Sequence, residues 1–380
     1  MIPAVITVAA ILLLAAIGSL ILAIIAARRL VLPRKRPALP VLAYDETSIT
    51  VPATSQTLQP GIFGLWTTPK RGHLVVSDVL EHNTISRTVR RRIIQSTGQP
   101  PHSGDSILWT SHVFPGPEAL SSAAESLELN VDGGTAPAWL IPGSPGTTRW
   151  AIHVHGIRTT RITALRSVPA ASAAGITSLV ISYHGDGEAP TASNGASMLG
   201  STEWRDLEPA IQFARKHGAT DITLIAWSMG AEVAFCYLQN GQSRDLINAL
   251  VLISPITSWN EALSNALRHA HLPTFIGRLA DRILSTAHLH TLAGTPAPIN
   301  LHELDWTHRI VSIPSLIVHS CHDKESPINA SRTLANANRA TVTLVESSVG
   351  GHALEYNAHP DWFTDTVAAW LRSLTRRRRL

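Results

Sequence analysis

The 380-residue sequence predicts an α/β fold, a mostly parallel sheet with helices on both faces, and three observations support this class. From Trp150 onward, apolar stretches alternate with helical stretches, which is the pattern of parallel strands joined by helical crossovers. One apolar stretch, Asp221–Ala226, ends at small residues around Ser228 before a helix begins. An aliphatic segment opens the chain, and strand-like sequence follows it. We therefore expect an N-terminal transmembrane helix and a β-rich extension ahead of the α/β domain.

The first segment, Ile2–Ala27, carries no charge and is long enough to cross a membrane as a helix. Five basic residues follow it and none precedes it: Arg28, Arg29, Arg34, Lys35 and Arg36. Because positive charge beside a span favours the cytoplasmic side, we predict a single-pass cell-membrane protein, anchored by residues 1–27, whose remaining chain faces the cytoplasm. A cleaved signal peptide is the alternative, although the basic start and small-residue exit of such peptides are missing.

The charge distribution excludes one class of partner. The net charge is +4, but nine of the 31 basic residues lie in the segment after the apolar stretch and in Arg376–Arg379. The other 22 are outnumbered by 27 acidic residues, and no basic stripe is interleaved with aromatic residues. We therefore predict no nucleic-acid partner. The tail Arg376–Arg379 is either a contact with anionic lipid or a solvated end.

The extension is predicted from strand and turn patterns. Residues 28–45 form a basic, proline-rich linker, and residues 46–140 form the β-rich N-terminal extension, with candidate strands at His73–Val79 and Ser106–Phe114. Two further strands flank a predicted hairpin turn at Asp132-Gly133-Gly134.

One stretch of the extension is ambiguous. Thr84–Gln95 fits either a strand or a helix, and we interpret its cluster of Arg87 and Arg90–Arg92 as a solvated basic face.

Residues 141–380 carry the strand and helix alternation, which gives the α/β domain. Within it, residues 254–313 interrupt the alternation with helical, histidine-dotted sequence, so we predict an inserted cap. Its histidines show no metal-binding framework. Its apolar residues either line an acyl pocket or pack in the core, and they include Leu263, Leu267, Leu272, Phe275, Ile276 and Leu279.

The turn at Ser228 fits a nucleophile elbow. The pattern reads Ala226-Trp227-Ser228-Met229-Gly230, in which small flanking residues let a strand turn sharply into a helix. Such a turn exposes the serine oxygen at the sheet edge and places the next backbone N–H at a helix start. Ser228 is therefore the candidate nucleophile.

Two residues downstream complete a catalytic set in the order serine, acid, histidine. Asp323 follows the predicted strand Ser315–Ser320, and His352 follows the next strand. An imidazole can take the serine proton, and a carboxylate can hold the imidazole in the required tautomer. We predict Ser228, Asp323 and His352 as the catalytic triad, with Glu325 as the alternative acid.

A site of this kind also needs donors for the oxyanion. His155-Gly156-Ile157-Arg158 ends the predicted strand Trp150–His155, where a second backbone donor is expected. We assign the oxyanion hole to the backbone N–H groups of Ile157 and Met229. Arg158 either binds an anionic substrate group or forms a surface ion pair.

From about Trp150 to the C-terminus, the sequence resembles bacterial α/β-hydrolases of the serine-esterase and prolyl-oligopeptidase-like type. The residues that carry the resemblance are His155-Gly156-Ile157-Arg158, Ser182-Tyr183, Gly187-Glu188-Ala189-Pro190, Glu203-Trp204-Arg205-Asp206, Ala226–Gly230, Asp323 and Gly351-His352. It implies the α/β-hydrolase fold, attack of the serine on an acyl carbonyl, and hydrolysis of the acyl-enzyme by water. It implies no metal and no organic cofactor. Ala226 in place of the usual glycine is a departure, and no H-G-G-G run is present.

Three functions follow from these features. We predict a membrane-anchored serine hydrolase that cleaves a small-molecule ester or thioester. A serine peptidase of the same fold is the runner-up, because sequence does not separate an ester from an amide leaving group. A non-catalytic scaffold with the hydrolase fold is the third.

Overall fold

The computed structural model describes residues 2–191 and 194–377 and contains two β-sheets that follow one another along the chain. A single helix, α1 (Ile2–Val31), precedes both. It is long and apolar enough to cross a membrane. The last two residues of the basic tail predicted at Arg376–Arg379 lie outside the described residues.

The first sheet is antiparallel and has seven strands in the order β1-β7-β4-β5-β6-β3-β2. Its strands are β1 (Leu39–Pro40), β2 (Ala43–Tyr44), β3 (Ser48–Pro52), β4 (Phe63–Thr68), β5 (Gly72–Asn83), β6 (Thr88–Gly98) and β7 (Ser106–Thr110). The prediction of a β-rich extension is therefore confirmed. Its strands enclose a small core of their own, which includes Ile49, Leu65 and Val89.

The ambiguous stretch Thr84–Gln95 is largely the strand β6, and the interpretation of its basic face holds for only part of it. Arg90 and Arg92 face solvent beside Glu81 and Asp78. Arg91 is completely buried, so assigning it to a solvated face was wrong. The physical reason is the alternation of a strand, which points neighbouring side chains to opposite faces of the sheet.

The second sheet has eight strands in the order β15-β14-β13-β12-β10-β11-β9-β8. The hairpin of β8 and β9 is antiparallel, and β9 also pairs antiparallel with β11. The remaining pairs are parallel. The strands are β8 (Glu125–Val131), β9 (Gly134–Ile141), β10 (Arg149–Val154), β11 (Thr177–Ile181), β12 (Asp221–Trp227), β13 (Ile247–Ile253), β14 (Ser315–Ser320) and β15 (Val342–Ser347). This arrangement confirms the predicted fold class.

Helices cover this sheet and fill the gap between β13 and β14. They are α2 (Val168–Ala173), α3 (Leu207–Lys216), α4 (Gly230–Asn240), α5 (Trp259–His269), α6 (Phe275–Ser285), α7 (His290–Ala293), α8 (Ile328–Ala337), α9 (Glu355–Ala358) and α10 (Pro360–Arg377). Between β13 and β14, α5, α6 and α7 form the inserted cap. Two apolar clusters lie on the sheet: one includes Ile152 and Leu224, and the other includes Val180 and Val251.

Most of the apolar cap residues named above pack in the core rather than line a pocket. Leu263, Leu267 and Ile276 are buried in the apolar cluster that also contains sheet residues, while Leu272 and Leu279 pack against it. Phe275 is instead 44% exposed. Burial of this kind removes apolar area from water and stabilises the fold, so these residues are explained without a bound acyl chain.

Candidate active site

Ser228 lies on the sharp turn between β12 and α4. Its φ is +53°, in the left-handed region that side chains with a Cβ rarely adopt. The turn closes tightly because Gly230 has no side chain: a Cβ there would lie 2.7 Å from the carbonyl oxygens of Val154 and His155. The local geometry is therefore that of the predicted elbow.

The structure brings Ser228, His352 and Asp323 together, although 124 residues separate the serine from the histidine. The Ser228 hydroxyl donates to Nε2 of His352 over 2.7 Å. Nδ1 of the same ring donates to Oδ2 of Asp323, also over 2.7 Å. Ser228 is only 5% exposed. This series of hydrogen bonds can move a proton from the Ser228 hydroxyl to the His352 ring, whose tautomer is fixed by the Asp323 carboxylate.

Asp323 is held as a buried carboxylate by several donors. Its Oδ1 accepts the backbone N–H groups of Glu325 and Ser326. Burial alone raises the pKa of Asp323, but the charge of His352 and the hydrogen bonds from His319 and His352 outweigh it and hold the pKa well below the usual range. Glu325, the alternative acid, is exposed, and the Asp323 carboxylate occupies the place beside Nδ1 of His352.

His319 is a site residue that the sequence analysis missed. It is fully buried on β14, and its Nε2 lies 3.0 Å from both Oδ2 of Asp323 and the carbonyl oxygen of Ser326. Both partners are acceptors, so Nε2 carries the proton, and Nδ1 accepts the hydroxyl of Ser331. Two imidazole rings therefore meet at one carboxylate oxygen. A histidine four residues before the candidate acid was the available signal.

The environment of His352 favours its charged form. Burial lowers the pKa of His352, but the charge of Asp323 and its hydrogen bond dominate and raise that pKa to about 9. Glu325 and Glu355 add smaller contributions in the same direction. A stabilised imidazolium suits a general base that must hold a proton during the reaction.

The loop that carries His352 is fixed from behind by two buried residues that the sequence analysis did not identify. The Ser254 hydroxyl donates to Glu355 and accepts the backbone N–H of Ala353. Burial raises the pKa of Glu355, and its carboxyl also accepts the backbone N–H of Ser320. The histidine loop and the end of β14 are thus tied to a single buried carboxyl.

The predicted oxyanion residues both line a small cavity beside the serine. The cavity is very small, with a volume of about 10 Å³, and its walls include His155, Gly156, Ile157, Tyr183 and Met229. Gly156 lies against the nucleophile, since a Cβ there would approach the Ser228 Cβ to 3.1 Å. The assignment of the backbone donors of Ile157 and Met229 stays a prediction.

Tyr183 and Asp186 hold the loop that contains Ile157. The Tyr183 hydroxyl donates to the carbonyl oxygens of His155 and Gly156, and its ring stacks on His155 at 4.0 Å between centroids. On the other side, the His155 Nε2 contacts Asp186 at 3.1 Å. Burial raises the pKa of Asp186, but hydrogen bonds, first from His155, reverse the effect and lower it. The loop is therefore held rigidly at the edge of the cavity.

Arg158 contacts backbone carbonyl groups, which neither of its two predicted roles included. Its guanidinium donates to three carbonyl oxygens at the end of α1, those of Arg29, Leu30 and Leu32, over 2.5–3.1 Å. A helix leaves its last carbonyl groups without partners inside the helix, and a cation there also complements the helix dipole. Burial lowers the pKa of Arg158 to about 10, so the group is charged at neutral pH.

Among residues 2–191 and 194–377, no group of three or more His, Cys, Asp or Glu side chains is arranged to hold a metal ion. The polar side chains nearest to Ser228 are engaged with one another, and the geometry offers a proton-transfer chain together with candidate backbone donors.

Comparisons with known proteins agree with this fold. Residues 140–376 match the model of a family described as the alpha/beta hydrolase family, and residues 40–110 match that of a domain of unknown function. No curated protein matches the sequence.

Among solved structures, an esterase from Pyrococcus furiosus is similar, with a TM-score of 0.51, 18% identity, 68% of this chain covered and 94% of the other. An esterase from Thermogutta terrifontis matches at a TM-score of 0.45, with 20% identity and coverages of 66% and 98%. At such identities the likeness concerns the fold.

Proposed function

We propose that this chain, which belongs to the alpha/beta hydrolase family, is a membrane-anchored serine hydrolase that cleaves an ester or a thioester. As a member of that family the protein is a hydrolytic enzyme. The observation that carries the finer proposal is the unbroken hydrogen-bond chain from Ser228 through His352 to Asp323.

The reaction follows from the positions of these groups. His352 Nε2 takes the proton from Ser228 as the serine oxygen attacks the acyl carbonyl. The oxyanion that forms accepts the backbone N–H groups of Ile157 and Met229, which are worth several kcal/mol when they are fixed in advance. The imidazolium gives its proton to the leaving alcohol or thiol, and an ester bond joins the acyl group to Ser228. Water, deprotonated by His352, then releases the acid and restores the serine.

The covered position of Ser228 favours an ester over a peptide. The serine is only 5% exposed beside a cavity of about 10 Å³, whereas a peptide needs room for an extended backbone on both sides of the scissile bond. The Pyrococcus furiosus structure of similar fold is described as an esterase. We therefore place the ester or thioester first.

The anchor completes the proposal. The apolar side chains of the first part of α1 are exposed in the described structure, including Val5, Leu12 and Leu14. Their burial in lipid would remove this surface from water. Since five basic residues follow the apolar part of the helix, the catalytic domain faces the cytoplasm. Protease added to intact cells should then leave the domain uncleaved. Cleavage from outside would show that the domain faces away from the cytoplasm.

A fluorophosphonate probe tests the nucleophile. The protein should be labelled, should hydrolyse short-chain p-nitrophenyl esters faster than the matching anilides, and should lose both labelling and turnover in Ser228→Ala. Ser373→Ala, on α10 and away from the site, is the matched control and should behave as wild type. Turnover that persists in Ser228→Ala would refute the assignment, and faster cleavage of the anilide would favour the peptidase.

A further inference from the structure

Helix α1 has two parts with different surroundings. From Val5 to Leu22 its large apolar side chains are exposed, by 37–68%. From Ala23 to Val31 one face is completely buried, with Ala23, Ala27 and Val31 each at 0–1% exposure. The spacing of four residues places these three side chains on one stripe of the helix. The second part of α1 is therefore packed into the protein and does not act as a free tether.

The partner of this buried stripe is the cap. Ala23, Ala27 and Val31 belong to the same apolar cluster as Ile276 and Leu284 of α6, and α1 contacts α6 and α7 directly. Alanine allows two helix backbones to approach closely, and replacing it by a larger residue would overpack the contact. The cap and the membrane helix consequently form one packed unit.

The end of α1 is fastened next to the candidate oxyanion loop. Arg158, which binds the last carbonyl groups of the helix, directly follows Ile157 in the loop that lines the cavity. Ser197, another residue of the cavity wall, donates its backbone N–H to the carbonyl oxygen of Val31. The position of the cavity relative to α1 is thus fixed at two points.

The geometry of α1 gives the distance of the cavity from the bilayer. Val5–Leu22 has 18 residues, which at about 1.5 Å per residue span about 27 Å, close to the hydrocarbon thickness of about 30 Å. Ala23, where packing on the protein begins, then lies near the hydrocarbon boundary. Val31 is eight residues further on, about 12 Å above that boundary, and a headgroup layer is about 5–8 Å thick, so the cavity loop lies about 5 Å beyond the headgroups.

The surface beside this part of α1 has the composition of a membrane contact. Phe275, Leu289 and Leu292, in or next to the cap helices that touch α1, are each exposed by 41–44%. Arg28 and Arg29 lie on the same stretch of α1 and are exposed to solvent. Aromatic and aliphatic side chains beside arginines suit the interface between acyl chains and anionic headgroups.

We propose that the packed unit of α1 and the cap holds the active site against the bilayer, and that the substrate is an acyl ester resident in the membrane. This inference rests on the proposed hydrolase function and deepens it by naming the substrate class. The ester group rises from the lipid into the cavity beside Ser228 while its acyl chain remains close to the hydrocarbon, so the substrate does not cross water.

The test changes the distance between the active site and the bilayer and leaves the active site itself unchanged. Seven residues, Ala-Glu-Ala-Ala-Lys-Ala-Ala, are inserted between Leu22 and Ala23, which extends the helix by about 10 Å and nearly preserves its facing. The full chain is reconstituted in vesicles of phosphatidylcholine and phosphatidylglycerol. Two substrates share one leaving group: 4-methylumbelliferyl butyrate in solution and 4-methylumbelliferyl oleate in the vesicles. The same seven residues placed ahead of Ile2 form the matched control.

The insertion should lower oleate hydrolysis by at least about tenfold, because the ester no longer reaches the site, and leave butyrate hydrolysis within about twofold. The control insertion should change neither. Equal effects on both esters, or no effect on oleate, would overturn the inference and leave the hydrolase proposal standing, as would a wild type that cleaves only butyrate. A wild type that cleaves neither ester would refute the hydrolase proposal and this inference with it.

Discussion

The two sheets meet the candidate active site in different ways. In the eight-stranded sheet, β12, β14 and β15 run parallel and direct their carboxyl ends to one edge, and Ser228, Asp323 and His352 each follow one of these ends. These strands lie between layers of helices, and β12 and β14 are almost wholly buried. Parallel strands of this kind bring together residues that are far apart in the sequence.

The seven-stranded antiparallel sheet supplies none of the three residues, yet it packs against the histidine loop. Buried Arg91 donates to the carbonyl oxygens of Thr57, Gln59 and Gly61, which fixes the loop between β3 and β4. This loop contacts Asn357 on α9, since the Ile62 N–H donates to its carbonyl oxygen. One sheet thus positions the three candidate catalytic residues, and the other restrains the backbone that carries one of them.

The largest effect that follows from this comparison concerns the edge of the parallel sheet. Asp323→Asn should lower kcat/KM by about 10⁴-fold, because an amide can hold His352 in the wrong tautomer and cannot stabilise its charge. Glu325→Gln, two residues away and exposed, is the matched control and should retain most activity. Ester hydrolysis at pH 8 with equal amounts of folded protein measures the difference. A harmless Asp323→Asn with a crippling Glu325→Gln would assign the acid to Glu325.

A smaller effect is expected from the antiparallel sheet. Arg91→Leu removes a guanidinium that satisfies three backbone carbonyl groups, and leaving these groups buried should cost about 3 kcal/mol of unfolding free energy. If the Thr57–Gly61 loop restrains the histidine loop, kcat should also fall by about tenfold in the variant that is still folded. Denaturant unfolding and steady-state kinetics give the two quantities.

Arg90→Leu is the control for this change, since Arg90 is the neighbouring residue on the same strand with a solvent-exposed side chain. It should alter stability by less than about 0.5 kcal/mol and leave kcat unchanged. An Arg91→Leu variant that is less stable but has wild-type kcat would show that the antiparallel sheet contributes to stability and does not restrain the histidine loop.

The comparison also explains what could be predicted from the sequence. The strand and helix alternation, the turn at Ser228 and the order of Ser228, Asp323 and His352 are local patterns, and one rule about parallel strands joins them. His319 was missed because its contact with Asp323 depends on the loop turning back on its own strand. Ser254 and Glu355 were missed because 101 residues separate them and, unlike Ser228 and His352, neither belongs to a recognised motif.

The remaining differences arise where one sequence pattern fits two environments. Arg91 sits between two exposed arginines, and only the strand register decides which of the three is buried. Ala23 and Ala27 are as apolar as the rest of α1, so composition does not separate a side facing lipid from a side facing the cap. Arg158 carries a charge whose partners, three backbone carbonyl groups, have no sequence signature.

The smallest predicted effect is a shift in the pH profile of ester hydrolysis. His352 acts as a base only when it is neutral, and its pKa is raised to about 9, so kcat/KM should rise with pH through about 9 and be lost below it. Glu325 contributes to this raised pKa through its charge. Glu325→Gln should therefore move the rising limb to lower pH, by less than about half a unit because water and salt screen an exposed carboxylate. Glu303→Gln is the control, because Glu303 is also exposed but lies in the inserted segment 254–313, and this variant should leave the rising limb in place. A limb that stays unchanged in Glu325→Gln, or that moves equally in both variants, would mean that the acidic loop after β14 influences His352 through Asp323 alone.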